Sequence, residues 1–191
     1  GREHLPLIRQ ALRDAGLDAF VIPHEDEYNN EYLPANAERL MWATGFTGSA
    51  GAAVVAADTA AVFVDGRYSE QVKSQVDPEL FEYADLVELG VAGWIRRNAK
   101  RGWRIGYDPR LHSPDALARL SEAAERAGAE MKAVETNPVD AAWSDRPDPP
   151  RAKVRPHPID AAGEAHADKR RRVAGEVAET GAEAAVITDP A

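Results

Sequence analysis

The chain has 191 residues, with 32 acidic and 23 basic side chains, a formal net charge of −9 and no cysteine. The acidic balance argues against a nucleic-acid footprint, which is basic. The lack of cysteine excludes a disulfide framework, a thiolate nucleophile and a cysteine metal site.

The hydrophobic share of 44% is enough to build a core, and the length suits one full domain with part of another. No apolar run nears the roughly 20 residues that cross a bilayer, so no membrane partner is expected. The start, Gly1-Arg2-Glu3-His4-Leu5-Pro6, has no apolar signal core. An opening Gly in place of Met reads as a trimmed start. Absent cysteines fit a cytoplasmic setting and leave export open.

In chain order, Leu5, Ile8, Leu12 and Ala15 fall on one helical face that stops at Gly16. Asp18 to Ile22 reads as a buried strand ended by Pro23, and residues 24–34 as a polar loop. Asn36 is expected to cap a short helix through Met41 and Ala43, closed by Gly45. Ala52–Ala56 and Ala60–Val64, separated by Asp58-Thr59, read as a hairpin. A helix over 69–76, a weaker strand over 80–84, a helix over 91–100 and a strand over 104–107 follow. Ser113-Pro114 opens a helix that Gly128 closes; residues 130–134 form a strand; Asn137-Pro138 starts a short helix to about Trp143.

Residues 144–158 hold Pro147, Pro149, Pro150, Pro156 and Pro158 and read as a stiff linker. The domains are therefore expected at 1–143 and 159–191, with the linker between. Beyond it, Glu164–Thr180 reads as a helix and Ala184–Thr188 as a strand. Residues 13–23 and 178–188 echo one another, each a helix end, a glycine and a strand with Val-Ile. The echo makes 159–191 the cut-off start of a second, similar α/β domain, chance being the other explanation.

Several chemical motifs fail on spacing. In Gly45-Phe46-Thr47-Gly48-Ser49-Ala50-Gly51 the glycine directly before Ser49 breaks the nucleophile-elbow pattern, and a strand follows where a dinucleotide fingerprint needs a helix. The stretch reads as a tight loop. His24-Glu25-Asp26-Glu27 has no spaced partner histidine, so it reads as a solvated acidic loop and no metal site is expected in this chain. Lys169-Arg170-Arg171-Arg172, beside Glu164, Asp168 and Glu176, reads as a charged outer helix face.

Asp65-Gly66-Arg67-Tyr68 stands out at the end of an apolar strand. Gly66 permits a sharp exit, and Tyr68 can pack its ring while exposing its hydroxyl. Arg67 offers a planar fork of donors suited to carboxylates and carbonyls. A local pair with Asp65 or Glu70 is the structural alternative.

Taken together, the residues resemble the amino-terminal region of aminopeptidase P, the Xaa-Pro aminopeptidases of the creatinase/prolidase superfamily. The resemblance rests on Pro23, Glu31-Tyr32, the run Thr44–Gly51, and Asp65-Gly66-Arg67-Tyr68 with Gln71. It continues through Asn137-Pro138-Val139-Asp140 with Trp143 and Arg146-Pro147, then His157-Pro158, Ala162-Gly163-Glu164 and Ala167-Asp168-Lys169. Asn30 stands where the family often has Ser, and a histidine just before that triplet is lacking.

The resemblance implies a ribonuclease-H-like α/β domain, a mixed sheet flanked by helices. It implies a non-catalytic amino-terminal part of a metal-dependent enzyme that removes the first residue from peptides with proline second. The two divalent ions, manganese or zinc, would sit in a carboxyl-terminal catalytic domain, this domain's partner; nothing in residues 1–191 matches their ligands. A homodimer is allowed. Arg67 is implied in substrate binding, and a second domain's start points to the three-domain form. Two other readings stay open: a stand-alone peptide-binding or oligomerisation module, and a nuclease using Asp65 and Asp108.

Overall fold

The computed structural model describes residues 1–187. The chain divides into two compact units, Gly1–Pro149 and the residues from Pro150 on.

The first unit is built on a six-stranded sheet ordered β4-β3-β2-β1-β5-β6. The strands are β1 (Ala19–Pro23), β2 (Gly51–Ala56), β3 (Ala60–Val64), β4 (Glu82–Asp85), β5 (Arg104–Tyr107) and β6 (Glu130–Ala133). β2 runs antiparallel to both β1 and β3, and every other pairing is parallel. The mixed α/β sheet is the one expected from the sequence.

Strand period splits the core in two, because successive side chains point to opposite faces. Phe20, Ile22, Ala53, Val55, Val62 and Val64 face one layer. There they meet α1 (His4–Asp14), α2 (Arg39–Thr44), α3 (Ser69–Gln75) and α6 (Pro138–Ala142) through Leu5, Ile8, Leu12, Leu40, Val72 and Val139. Ala19, Val21, Val54, Ala61, Phe63 and Ile105 face the other layer. That layer holds α4 (Gly90–Asn98) and α5 (Pro114–Ala127), which contribute Trp94, Ile95, Leu120 and Ala124. Strands buried on both faces need apolar residues at every position, which is why β1 and β3 read as continuous apolar runs.

Local signals place the ends. Ser113 Oγ accepts from the Ala116 N–H at 3.2 Å, Pro114 follows it, and Gly128 closes α5 at φ 73°. Gly45 closes α2 at φ 91°. Asn137 Oδ1 accepts from Val139 N–H at 3.0 Å and starts α6.

Two expectations within the first unit need correction. Asn36 caps nothing: it lies inside a 3₁₀ turn, Ala35–Ala37, and Glu38 precedes α2 without a side-chain cap. Its carbonyl instead accepts from Arg146 Nε at 2.7 Å. Asp26 is not solvated but buried, and it orders the 24–34 loop by accepting from the N–H groups of Tyr28 and Asn30, each at 3.0 Å, and from Asn30 Nδ2 at 2.7 Å. Burial would raise its carboxyl; these donors more than offset that and hold it below the ordinary aspartate range.

The second unit contains α7 (Ile159–Ala162), which the sequence reading missed, and α8 (His166–Glu179). The basic run of α8 is exposed and ion-paired: Arg171 to Asp168 at 2.7 Å, Arg172 to Glu164 and Glu176 at 3.1 Å each. Residues 184–187 form no strand, and Thr188 lies outside the described residues. A strand needs a neighbour to pair its backbone groups, and no other strand lies among the unit's described residues.

Candidate functional site

Five parallel strands direct their carboxyl ends to one rim of the sheet, and β2 begins there. Ligands of open α/β sheets bind along such a rim.

Asp65 leaves β3 in extended conformation and its carboxylate takes two bonds from one residue, Arg67: the backbone N–H at 3.0 Å and Nε at 2.8 Å. These two donors, the backbone one first, hold the Asp65 carboxyl below the usual aspartate range, and Asp65 in turn raises the Arg67 guanidinium. Gly66–Tyr68 closes a 3₁₀ turn that runs into α3. The Arg67 side chain stays 70% exposed. Its terminal amino groups make no hydrogen bond among the described residues. Of the two local partners expected, Asp65 is the one used; Glu70 pairs with Lys73.

The 44–51 loop buttresses this corner. Tyr68 Oη meets Ser49 Oγ at 3.0 Å, and its ring stands edge-on to Phe46 at 5.6 Å. The hydroxyl is therefore engaged, not free. Gln71 and Gln75 both reach Thr47 Oγ1, at 3.0 and 2.9 Å. The two sequence motifs are thus one structural corner. Gly66 itself adopts no left-handed φ and has nothing within 4 Å of a would-be Cβ, so the sharp exit does not depend on glycine.

The same device recurs at the end of β5. Asp108 accepts from Arg110 N–H and Nε, each at 3.0 Å, and from the second guanidinium nitrogen at 2.8 Å. Here the aspartate is buried, and Asn137 Nδ2 adds a bond at 3.1 Å. Burial would raise the carboxyl, but Arg110 and Asn137 outweigh it and the pKa is lowered. Asp65 and Asp108, weighed together as nuclease carboxylates, are therefore each taken up by an arginine. Arg110 was not singled out in the sequence; its Asp-x-Arg spacing, shared with Arg67, was the available signal.

Among the described residues no group of three or more His, Asp or Glu is placed to hold a metal ion. The residues present do not fit a paired-metal site. No described helix is long and apolar enough to cross a membrane.

The family model for the creatinase/prolidase N-terminal domain matches residues 5–141, and the chain belongs to that family. A protein named "Probable Xaa-Pro aminopeptidase P" from Aspergillus niger is 36% identical over 174 residues, which cover 87% of this chain and 28% of that one. The chain thus spans little more than a quarter of the relative's length. X-prolyl aminopeptidase from Caenorhabditis elegans, described as a cytosolic enzyme with a di-nuclear active site, matches at TM-score 0.83 and 27% identity, covering 98% of this chain and 32% of that one. The N-terminal domain of the cytoplasmic peptidase PepQ from Mycobacterium tuberculosis matches at TM-score 0.58 and 25% identity, over 73% of this chain and 98% of that one.

Proposed function

We propose that this chain is the non-catalytic amino-terminal part of a cytoplasmic, metal-dependent Xaa-Pro aminopeptidase, and that Arg67 handles its peptide substrate. Residues 1–143 are the first domain, 144–158 a proline-rich linker, and 159–191 the opening of a second, similar domain. The match to the nematode enzyme over 98% of the chain supports the longer, multi-domain form.

One observation carries the role of Arg67: a guanidinium fixed at Nε by Asp65 keeps its remaining donors facing solvent on the rim where ligands of such sheets bind. A pre-oriented fork suits a peptide carbonyl or terminal carboxylate. The X-Pro amide has no N–H to offer, so recognition must use its carbonyls and the chain ends. Two divalent ions, manganese or zinc, would be held by the catalytic domain and would supply an activated water there. Partners are then the peptide and that catalytic domain.

The test is an assay of the 191-residue chain, with manganese or zinc, beside a longer chain carrying the catalytic domain. Only the longer chain is expected to cleave Xaa-Pro peptides. Cleavage by the 191-residue chain, or its tight binding of two manganese ions, would overturn the division of labour.

A further inference from the structure

We propose that Arg110 is a second substrate contact, donating to a main-chain carbonyl of longer peptides that cross the strand-end rim from Arg67. The inference rests on the peptidase reading and names what the far side of the rim does for it.

The rim repeats one device at two places. β3 runs into Asp65-Gly66-Arg67 and β5 into Asp108-Pro109-Arg110. In each, the aspartate caps a 3₁₀ turn and accepts from the backbone N–H and the Nε of the arginine two positions on. At β5 the pair is sorted by depth, the Asp108 side chain being 1% exposed and that of Arg110 57%. The buried carboxylate thus holds the guanidinium at the surface. With Nε and Nη2 both bonded to Asp108, the fork is fixed, and Nη1 makes no hydrogen bond among the described residues. An arginine fixed beforehand loses little entropy when it takes an acceptor.

The sheet sets the spacing. The order β3-β2-β1-β5 puts three strand steps between the two devices. At about 4.8 Å a step they stand about 14 Å apart across the sheet, a span of at least about four extended residues. β1 lies between them, and the loop that leaves it reaches both arginines. Asp65 is the main cause that raises the Arg67 guanidinium, and Glu31 of the loop adds to it. Asp108 is the main cause that raises Arg110, and Asp140 and Glu27 of the loop add to it. Asp26 fixes this loop, which holds Tyr28 69% exposed between the two. An exposed aromatic ring on an ordered loop marks a contact surface. With Asp108, Asp140 and Glu27 around it, Arg110 disfavours a further negative charge, so the group it takes is a neutral carbonyl.

The experiment measures kcat/KM of the longer enzyme on a tripeptide and an octapeptide with Xaa-Pro at the start, both amidated at the carboxyl end so that only carbonyls remain. Three residues extend about 10 Å and cannot reach from Arg67 to Arg110, whereas eight extend about 26 Å. R110Q keeps a donor for Asp108 and should lower kcat/KM on the octapeptide by about tenfold, a charged hydrogen bond being worth at least that factor. R110K should fall in the same way, and both variants should keep the wild-type rate on the tripeptide, which shows that they are folded. An unchanged octapeptide rate in both variants, or an equal loss on both lengths, would overturn the role of Arg110 and leave the peptidase reading standing. Failure of the unmutated longer enzyme to cleave either peptide would overturn that reading and this inference with it.

Discussion

Arg39 and Asp140, 101 positions apart, meet through two hydrogen bonds of 2.7 and 3.0 Å while only 3% of the arginine side chain is exposed. Arg146 adds a third contact to the same carboxylate at 2.7 Å and is 27% exposed. The ring of Trp143 stacks on Trp42, which stacks on His4. The end of the first unit is thereby tied to α1 and α2. Removing one partner of a buried pair strands the other charge, so R39A should lower stability by about 3 kcal/mol. R146A leaves the buried pair intact and should cost about 1 kcal/mol. Urea unfolding followed by tryptophan fluorescence checks both, since all 4 tryptophans lie in the first unit. Equal midpoint shifts for the two variants would contradict the assignment.

Glycines 48 and 66 should answer differently to the same change. A Cβ at Gly48 would come within 2.3 Å of the buried Phe46 ring, whereas one at Gly66 meets nothing within 4 Å. Overpacking costs about 1–3 kcal/mol, so G48A should lower the melting temperature and loosen the support beneath Arg67. G66A should be neutral or stabilising by up to about 1 kcal/mol, because it restricts the unfolded chain at a φ that alanine tolerates. Thermal denaturation of the pair is the check.

Acid should weaken the fold through Asp108. Its folded pKa is lowered, so its contribution is present above the unfolded value of about 3.9 and is lost as pH falls through the lower folded value. Asp26 acts with the same sign. Urea midpoints measured from pH 7 down should fall below about pH 4. D108N should be less stable than wild type at pH 7, by about 2 kcal/mol, and show a shallower acid decline. A variant whose pH profile parallels wild type would remove Asp108 from this account.

The fold was legible wherever period and capping agreed. Leu5, Ile8 and Leu12 mark α1, and Ser113-Pro114 with Gly128 bounds α5. The paired apolar runs of β2 and β3 gave the hairpin. Contacts across long separations were not legible: nothing near Arg39 announces Asp140, and Asn36 looks like a cap until Arg146 is seen to take its carbonyl. Strand pattern misled at 184–187, where Val-Ile finds no partner strand among the described residues. Of the rim, Arg67 was readable as an arginine at a strand end. Its bond to Asp65 was one of two local options, and the buttress from Thr47 and Ser49 required the fold. Glu25 lies far in the sequence from His112 and Arg119, and the three come to line one cleft only in the fold.

The R67A variant of the longer enzyme tests the peptide-handling claim most directly. kcat/KM should be measured on Xaa-Pro peptides of about two to five residues, with bound metal assayed alongside. Loss of a charged hydrogen bond should lower kcat/KM by about 10- to 100-fold on at least the longer peptides. Metal content should stay the same, and so should the fold, since the arginine is exposed. Unchanged kinetics at every peptide length, or loss of metal on mutation, would contradict a substrate-contacting arm at this corner of the sheet.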